Sequence, residues 1–465
     1  MKTAVKKFTD RYWGCFTPTT IDYNDNLIIT GATGCLLRDE RGKEYLDFCS
    51  QAGVSNIGHN HPFWLAAYKS LLETIEKESV PWYLIATDFH FQYVVSIDGK
   101  KVEISQPALA ERLKEIAFGD DTRFIQQISG ATTNNSAIKF IDKLYPEKKF
   151  AFAFKGAFQG RQGGALGCTY AKPIQRQGFS IGGHTMEHLS FVRDEYTLAL
   201  VMRELNYIPL RDYAFIIFEL IQGEGGVNPV NEYTIQLLKH LQDNGVILVC
   251  DDVQEGFGRT GAWLSYENFN IVPDIITVSK AMGGGDPIGA ALFNAKNPAL
   301  RGWDERLAVG WDSSTFQWNP HAVFNAIVTM MIFEKYHLIE RARDMGGHLK
   351  NALEGAMDRF YAFAEPGVVY PVHNIALKGI GLHYGIEFQV FNKKADGYVA
   401  DVALRDATLA RLRENGIITL SAGNPNINPT IRFMPPLIVT KEEIATCGNA
   451  LAQSLIEAYQ LVYKK

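Results

Sequence analysis

Five short apolar runs, spaced by segments of helical periodicity, restrict this chain more than any other feature. Residues 150–154, 214–218, 246–250, 275–278 and 288–293 are too short for helices and show little polar alternation, so they are expected to be strands buried on both faces. Between them, segment 233–243 puts Ile235, Leu237, Leu238 and Leu241 on one side of a helix. Strand–helix alternation of this kind predicts an α/β fold with a mostly parallel sheet covered on both faces. Ligands of such sheets bind beyond the carboxyl ends of the strands. Glu219, Asp251 and Lys280 each follow one of these runs.

Lys280 stands between a strand end and the turn Gly283-Gly284-Gly285, where a ligand can come close to the backbone. A lysine in that position suits Schiff-base chemistry, and Asp251 at a second strand tip supplies a carboxylate. Pyridoxal phosphate (PLP) needs both, an amine for its aldehyde and an acid to keep its ring nitrogen protonated.

Other segments fit the same chemistry and also have plainer readings. Ser129-Gly130-Ala131-Thr132 leads into a helical stretch, where free amide N–H groups and the helix dipole form an anion cup. An ordinary capped helix start reads the same way. In Lys155-Gly156-Ala157-Phe158-Gln159-Gly160-Arg161, Phe158 can stack on a flat ring and Arg161 can hold a carboxylate, or both can be loop residues. Glu219 and Glu224 flank a glycine turn, and Arg432 lies in an apolar setting where an arginine usually has a partner. His184-Thr185-Met186-Glu187-His188 spells an inverted zinc-peptidase string without a helical frame or a third ligand, so no metal is expected.

The formal net charge of -5 provides no basic field for nucleic acid. Six cysteines without paired spacing fit a reducing compartment. No secretory signal or membrane span is expected, which makes the cytoplasm the default location. The 465 residues predict two domains: 76–330 as the large one, with 1–75 and 331–465 contributing to a smaller α+β domain. Within the latter, 379–388 reads as one strand, and 35–37 and 45–48 as strands that join it. Asp98-Gly99 marks a hairpin turn in the insert 88–104.

From Gly34-Cys35-Leu36-Leu37-Arg38-Asp39 to Arg432-Phe433-Met434-Pro435-Pro436-Leu437, the motifs occur in the order found in one family. The chain resembles the class-III PLP-dependent aminotransferases, the group of ornithine, lysine-epsilon and 4-aminobutyrate aminotransferases. The resemblance implies a fold-type-I PLP fold and a homodimer with shared active sites. It also implies ping-pong transfer of an amino group from an amino acid or ω-amino compound to a 2-oxo acid such as 2-oxoglutarate. Racemisation or epimerisation, decarboxylation and aminomutase chemistry on the same scaffold stay open. By the same resemblance, Lys280 binds the cofactor aldehyde, Asp251 pairs with the ring nitrogen, Gln254 lies near the phenolic oxygen and Phe158 stacks on the ring. Ser129, Gly130, Ala131 and Thr132 hold the phosphate, with Thr315 reaching it from the second subunit. Arg432, Glu224, Glu219 and Arg161 face the substrate, Glu224 pairing with Arg432 when a terminal amine binds. The departures are Thr132 for glutamate, Asp252 for glutamate, Gln159 for histidine, Gln317-Trp318 for two glycines, and Asp286 for an apolar residue. Trp318 is expected to narrow or reshape the pocket.

Overall fold

The computed structural model describes residues 15, 27–80, 82, 89–179, 183–367 and 372–464. Its central sheet has seven strands: β1 (Thr122–Gln127), β2 (Phe150–Phe154), β3 (Thr185–Leu189), β4 (Tyr213–Phe218), β5 (Ile247–Asp251), β6 (Ile275–Val278) and β7 (Gly289–Asn294). Their order is β1-β7-β6-β5-β4-β2-β3. From β3 through β6 the pairings are parallel, whereas β7 runs antiparallel to both β6 and β1. The link between β6 and β7 is too short to cross over the sheet, since a parallel return needs a dozen or more residues. It doubles back instead, and Lys280 sits in that reversal.

The apolar runs are buried on both faces, as their composition predicts. Phe215 and Ile217 of β4 pack in the cluster that contains Phe140 and Ile141 of helix α1 (Gly130–Leu144). Ile216 and Phe218 point the other way, among Leu237, Leu238 and Leu241 of helix α2 (Glu232–Asp243). Two-sided burial keeps β4 and β5 in register, so the positions of the groups at their carboxyl ends are set by the core.

Beyond the sheet, helices α3 (Pro320–Lys335) and α4 (Leu338–Ala364) are separated at His337, which has φ of 50°. The expected single strand over 379–388 is corrected. Two strands, His373–Ile380 and His383–Asn392, form a hairpin there. Gly381, with φ of +59°, makes the reversal, and a Cβ on it would lie 2.5 Å from the Arg259 carbonyl oxygen. Thr430–Phe433 joins the same sheet and carries Arg432.

The N-terminal strands Leu36–Asp39 and Glu44–Asp47 form a separate sheet with Ile417–Ile418, in which Leu46 pairs with Ile417. The insert forms a hairpin, Gln92–Ile97 with Lys100–Ser105, turning at Asp98 and Gly99, both with positive φ. Among the described residues no single helix is long and apolar enough to cross a membrane.

Candidate active site

A cavity of about 450 Å³ opens at the carboxyl ends of β4, β5 and β6. It is lined by Ser129, Gly130, Ala131, Phe158, Arg161, Glu219, Glu224, Asp251, Gln254 and Lys280, among others. Thr132, Thr315 and Arg432 are outside this lining. The Thr132 hydroxyl accepts the Ser129 N–H at 3.1 Å in a capping box, and Thr315 is exposed.

Asp251, the last residue of β5, is buried, and that desolvation raises its carboxyl to about 6, against a hydrogen bond from Asn134. Asn134 Nδ2 donates to Asp251 Oδ2 at 2.6 Å and to the Gln159 carbonyl at 2.7 Å, while Thr277 Oγ1 donates to Asn134 Oδ1 at 2.7 Å. Sequence reading passed over Asn134. Its helical position, one turn after the Ser-Gly-Ala cup, was the available signal. Asp252, next in the chain, turns away and accepts the Ser265 N–H at 2.9 Å.

Lys280 has φ of 40°, a left-handed backbone that a non-glycine residue adopts at a cost of roughly 1–3 kcal/mol. The Ser279 hydroxyl donates to the Ile288 carbonyl at 2.6 Å and ties the reversal to the start of β7. Burial and then the Arg432 guanidinium lower the lysine pKa, with Asp251 and Glu224 pulling the other way. A lowered pKa leaves a larger fraction of the amine unprotonated and free to act as a nucleophile.

The helix α1 N-terminus lies against the exit of β5. A Cβ on Gly130 would meet Val253 Cγ1 at 2.6 Å, so only glycine permits this approach. The Gly130 and Ala131 amides have no partner within the helix and are available to an anion, whereas the Thr132 N–H donates to Ser129 Oγ at 3.3 Å.

Glu219 accepts the Phe158 N–H at 2.9 Å and the Gly223 N–H at 3.1 Å, so it braces the aromatic loop and the glycine turn together. Burial and the charge of Asp251 hold its carboxyl well above the usual range. The Arg161 guanidinium lies 5.6 Å from the Phe158 ring centre and is exposed at the cavity mouth.

Arg432 is deeply buried. Its Nη2 donates to Glu224 Oε1 at 2.9 Å and its Nη1 to Gln254 Oε1 at 3.2 Å. Burial disfavours the Glu224 charge, yet Arg432 and Lys172 together hold its carboxyl down at about 2. Lys172 Nζ donates to Glu224 Oε2 at 3.1 Å, a partner that sequence reading did not find.

The glycine turn is pinned at several points. The Glu224 carbonyl accepts the Gly423 N–H at 2.8 Å, and the Gly225 carbonyl accepts amides from Asn228 and Asn428. Motion of the Glu224 carboxylate is therefore a side-chain rotation.

One expected pocket effect changes. Trp318 is fully buried, with its indole N–H donating to the Gly289 carbonyl at 2.9 Å, so it fills the core behind β7 and does not line the cavity. Asp286 does line it, and is bonded by Asn325 and His321. His184, Glu187 and His188 bond to Asp142, Tyr213 and Arg176 in turn, which disperses the zinc-like string along β3.

The residues fit PLP. Both polar atoms of the Gln159 amide, in the cavity wall, are buried without a protein partner, as is Arg432 Nε. An amine, a buried acid, a phenyl ring and a helix N-terminus face one space. This sheet order and this set of groups define a PLP-dependent transferase of fold type I. The pattern of the class-III aminotransferase family matches residues 20–455, and the chain belongs to that family. It is an enzyme that depends on PLP and transfers an amino group.

The acetylornithine aminotransferase of Bacillus subtilis (strain 168) is 31% identical over 430 residues, covering 92% of this chain and 94% of that protein. The acetylornithine aminotransferase of Archaeoglobus fulgidus is 29% identical, covering 90% and 92%. Among solved structures, a transaminase from the marine bacterium Virgibacillus matches with a TM-score of 0.81 at 19% identity, covering 98% of this chain and 100% of that one. The ornithine aminotransferase from Toxoplasma gondii matches at 0.74 and 20%, covering 98% and 95%.

Proposed function

We propose that this aminotransferase takes the terminal amino group of a donor that also carries a carboxylate, and passes it to a 2-oxo acid such as 2-oxoglutarate. The observation that carries this reading is the Arg432–Glu224 pair at 2.9 Å, in which Glu224 lines the cavity that Lys280 enters and covers the buried Arg432 behind it. Ping-pong transfer asks one pocket to accept two substrates in turn. A glutamate that covers the arginine for a terminal amine and uncovers it for an α-carboxylate answers that demand. The names of the acetylornithine relatives agree with a donor of this type.

In this reading Lys280 would hold the cofactor through its aldehyde and would carry a proton at the substrate carbon. Asp251, oriented by Asn134, would keep the ring nitrogen protonated. Gln254 would serve the phenolic oxygen and Phe158 would cover the ring. The cup of Ser129, Gly130, Ala131 and Thr132 holds the phosphate, with Thr315 contributed by the partner subunit. When bound, the cofactor supplies an electron sink for the substrate carbon. Arg432, with Nε unpaired, receives the α-carboxylate, and Arg161 at the mouth receives the far carboxylate. Glu219 keeps the Phe158 loop in place. The enzyme acts as a homodimer in the cytoplasm, where its six free cysteines remain thiols.

Arg432→Ala is expected to slow the half-reaction of α-amino dicarboxylates at least tenfold more than that of terminal amines. Glu224→Ala is expected to shift preference toward α-amino acids. Stopped-flow measurement of both half-reactions decides. Equal slowing of both halves by each variant would make the pair a structural ion pair and overturn the reading.

A further inference from the structure

We propose that Lys172 receives Glu224 when a substrate carboxylate takes Arg432, and so sets the balance between the two kinds of substrate. This rests on the reading of Arg432 and Glu224 just given.

Glu224 bridges two cations, one through each oxygen: Arg432 at 2.9 Å and Lys172 at 3.1 Å. The arginine side chain is 2% exposed and the lysine side chain 24%, so the lysine stands on the solvent side of the carboxylate. Its position is held from its own loop. The Lys172 N–H donates to Gln175 Oε1 at 3.1 Å, and the adjacent Ala171 N–H donates to the Ala157 carbonyl at 2.9 Å, beside the Phe158 loop. With the Glu224 backbone pinned, the carboxylate can leave Arg432 only by rotating, and it already touches the lysine.

Charge counting gives the reason for a second cation. Arg432, Lys172 and Glu224 sum to +1, and an arriving carboxylate brings the group to neutrality. Without Lys172 the same event leaves these groups one negative charge in excess around a Glu224 side chain that is 20% exposed, with Lys280 as a further cation acting on it, and a poorly solvated excess charge is costly. The released glutamate would then have to take up a proton. Lys172 is thus a positioning residue, acting on the substrate through Glu224.

The test uses the holoenzyme and glutarate, a dicarboxylate with no amino group to transfer. Calorimetric titration in two buffers of different ionisation heat reports the protons taken up on binding. Lys172→Met is expected to bind glutarate about tenfold more weakly at neutral pH. It should take up close to one more proton than the wild type, and its affinity relative to wild type should fall by up to about tenfold per pH unit as pH rises. Lys172→Arg should restore both affinity and proton count. In stopped flow, Lys172→Met should shift the ratio of the half-reactions at least fivefold toward terminal amines. An unchanged proton count and affinity would overturn the proposal, as would equal slowing of both half-reactions. If Arg432→Ala fails to select against dicarboxylates, the reading of the pocket falls first, whatever Lys172 does.

Discussion

At the scale of single residues, the site sets function against stability. Burial raises the Asp251 carboxyl from 3.8 to about 6, so the folded cofactor-free protein binds more protons than the unfolded chain between those values. Stability falls as pH rises through that window and stays lower above it. A two-unit shift corresponds to roughly 3 kcal/mol as an upper figure. Asp251→Asn removes this cost. The cofactor-free variant is expected to melt higher than wild type at pH 7, with the difference vanishing below about pH 4. The same change should lower turnover by at least about 100-fold with cofactor still bound if, as proposed, Asp251 is the anionic partner of the ring nitrogen. Thermal melts at several pH values, set beside steady-state rates, check both halves. Equal melting temperatures would mean that Asp251 is not strained by burial. Near-normal turnover would mean that it does not face the ring.

At the scale of elements, the site depends on how closely helix α1 approaches the end of β5. Gly130 permits this contact, since its Cβ would stand 2.6 Å from a Val253 methyl group. Gly130→Ala should push the helix N-terminus outward by a few tenths of an ångström and cost roughly 1–3 kcal/mol of stability. Cofactor affinity should fall by about tenfold or more, since an anion site at a helix end is worth little once the amides point past the ligand. Fluorescence titration of the cofactor-free protein with PLP measures the loss. Adding Val253→Ala should recover much of it by removing the clashing methyl groups. No recovery would place the effect elsewhere.

At the scale of the whole molecule, the question is assembly. Thr315 faces solvent, and its neighbour Phe316 is 64% exposed, as a segment meant for a second copy would be. If Thr315 completes the partner's phosphate cup, a lone subunit has an incomplete site. Sedimentation should show a dimer at micromolar concentration, and cofactor affinity should decline as dilution dissociates it. Thr315→Ala should weaken PLP binding several-fold while the dimer persists. A fully loaded and active monomer would overturn this.

Much of this protein was legible in its residue order. The five apolar runs are strands because two-sided burial leaves a continuous hydrophobic signature, and α2 buries the four residues its period selects. Lys280 and Asp251 were recognisable because strand ends are local features and reactive groups at them are chemically distinctive. The hairpin at Gly381 was missed because two adjoining strands and one long strand share the same period of two. Other facts join residues that are far apart in the chain. Asn134 meets Asp251 across 117 positions, Lys172 meets Glu224 across 52, and Trp318 lies behind β7 where a pocket wall was expected. No periodicity records such meetings. They follow from the order in which strands assemble and from how closely the helices pack upon them, and those are decided only when the whole chain is folded.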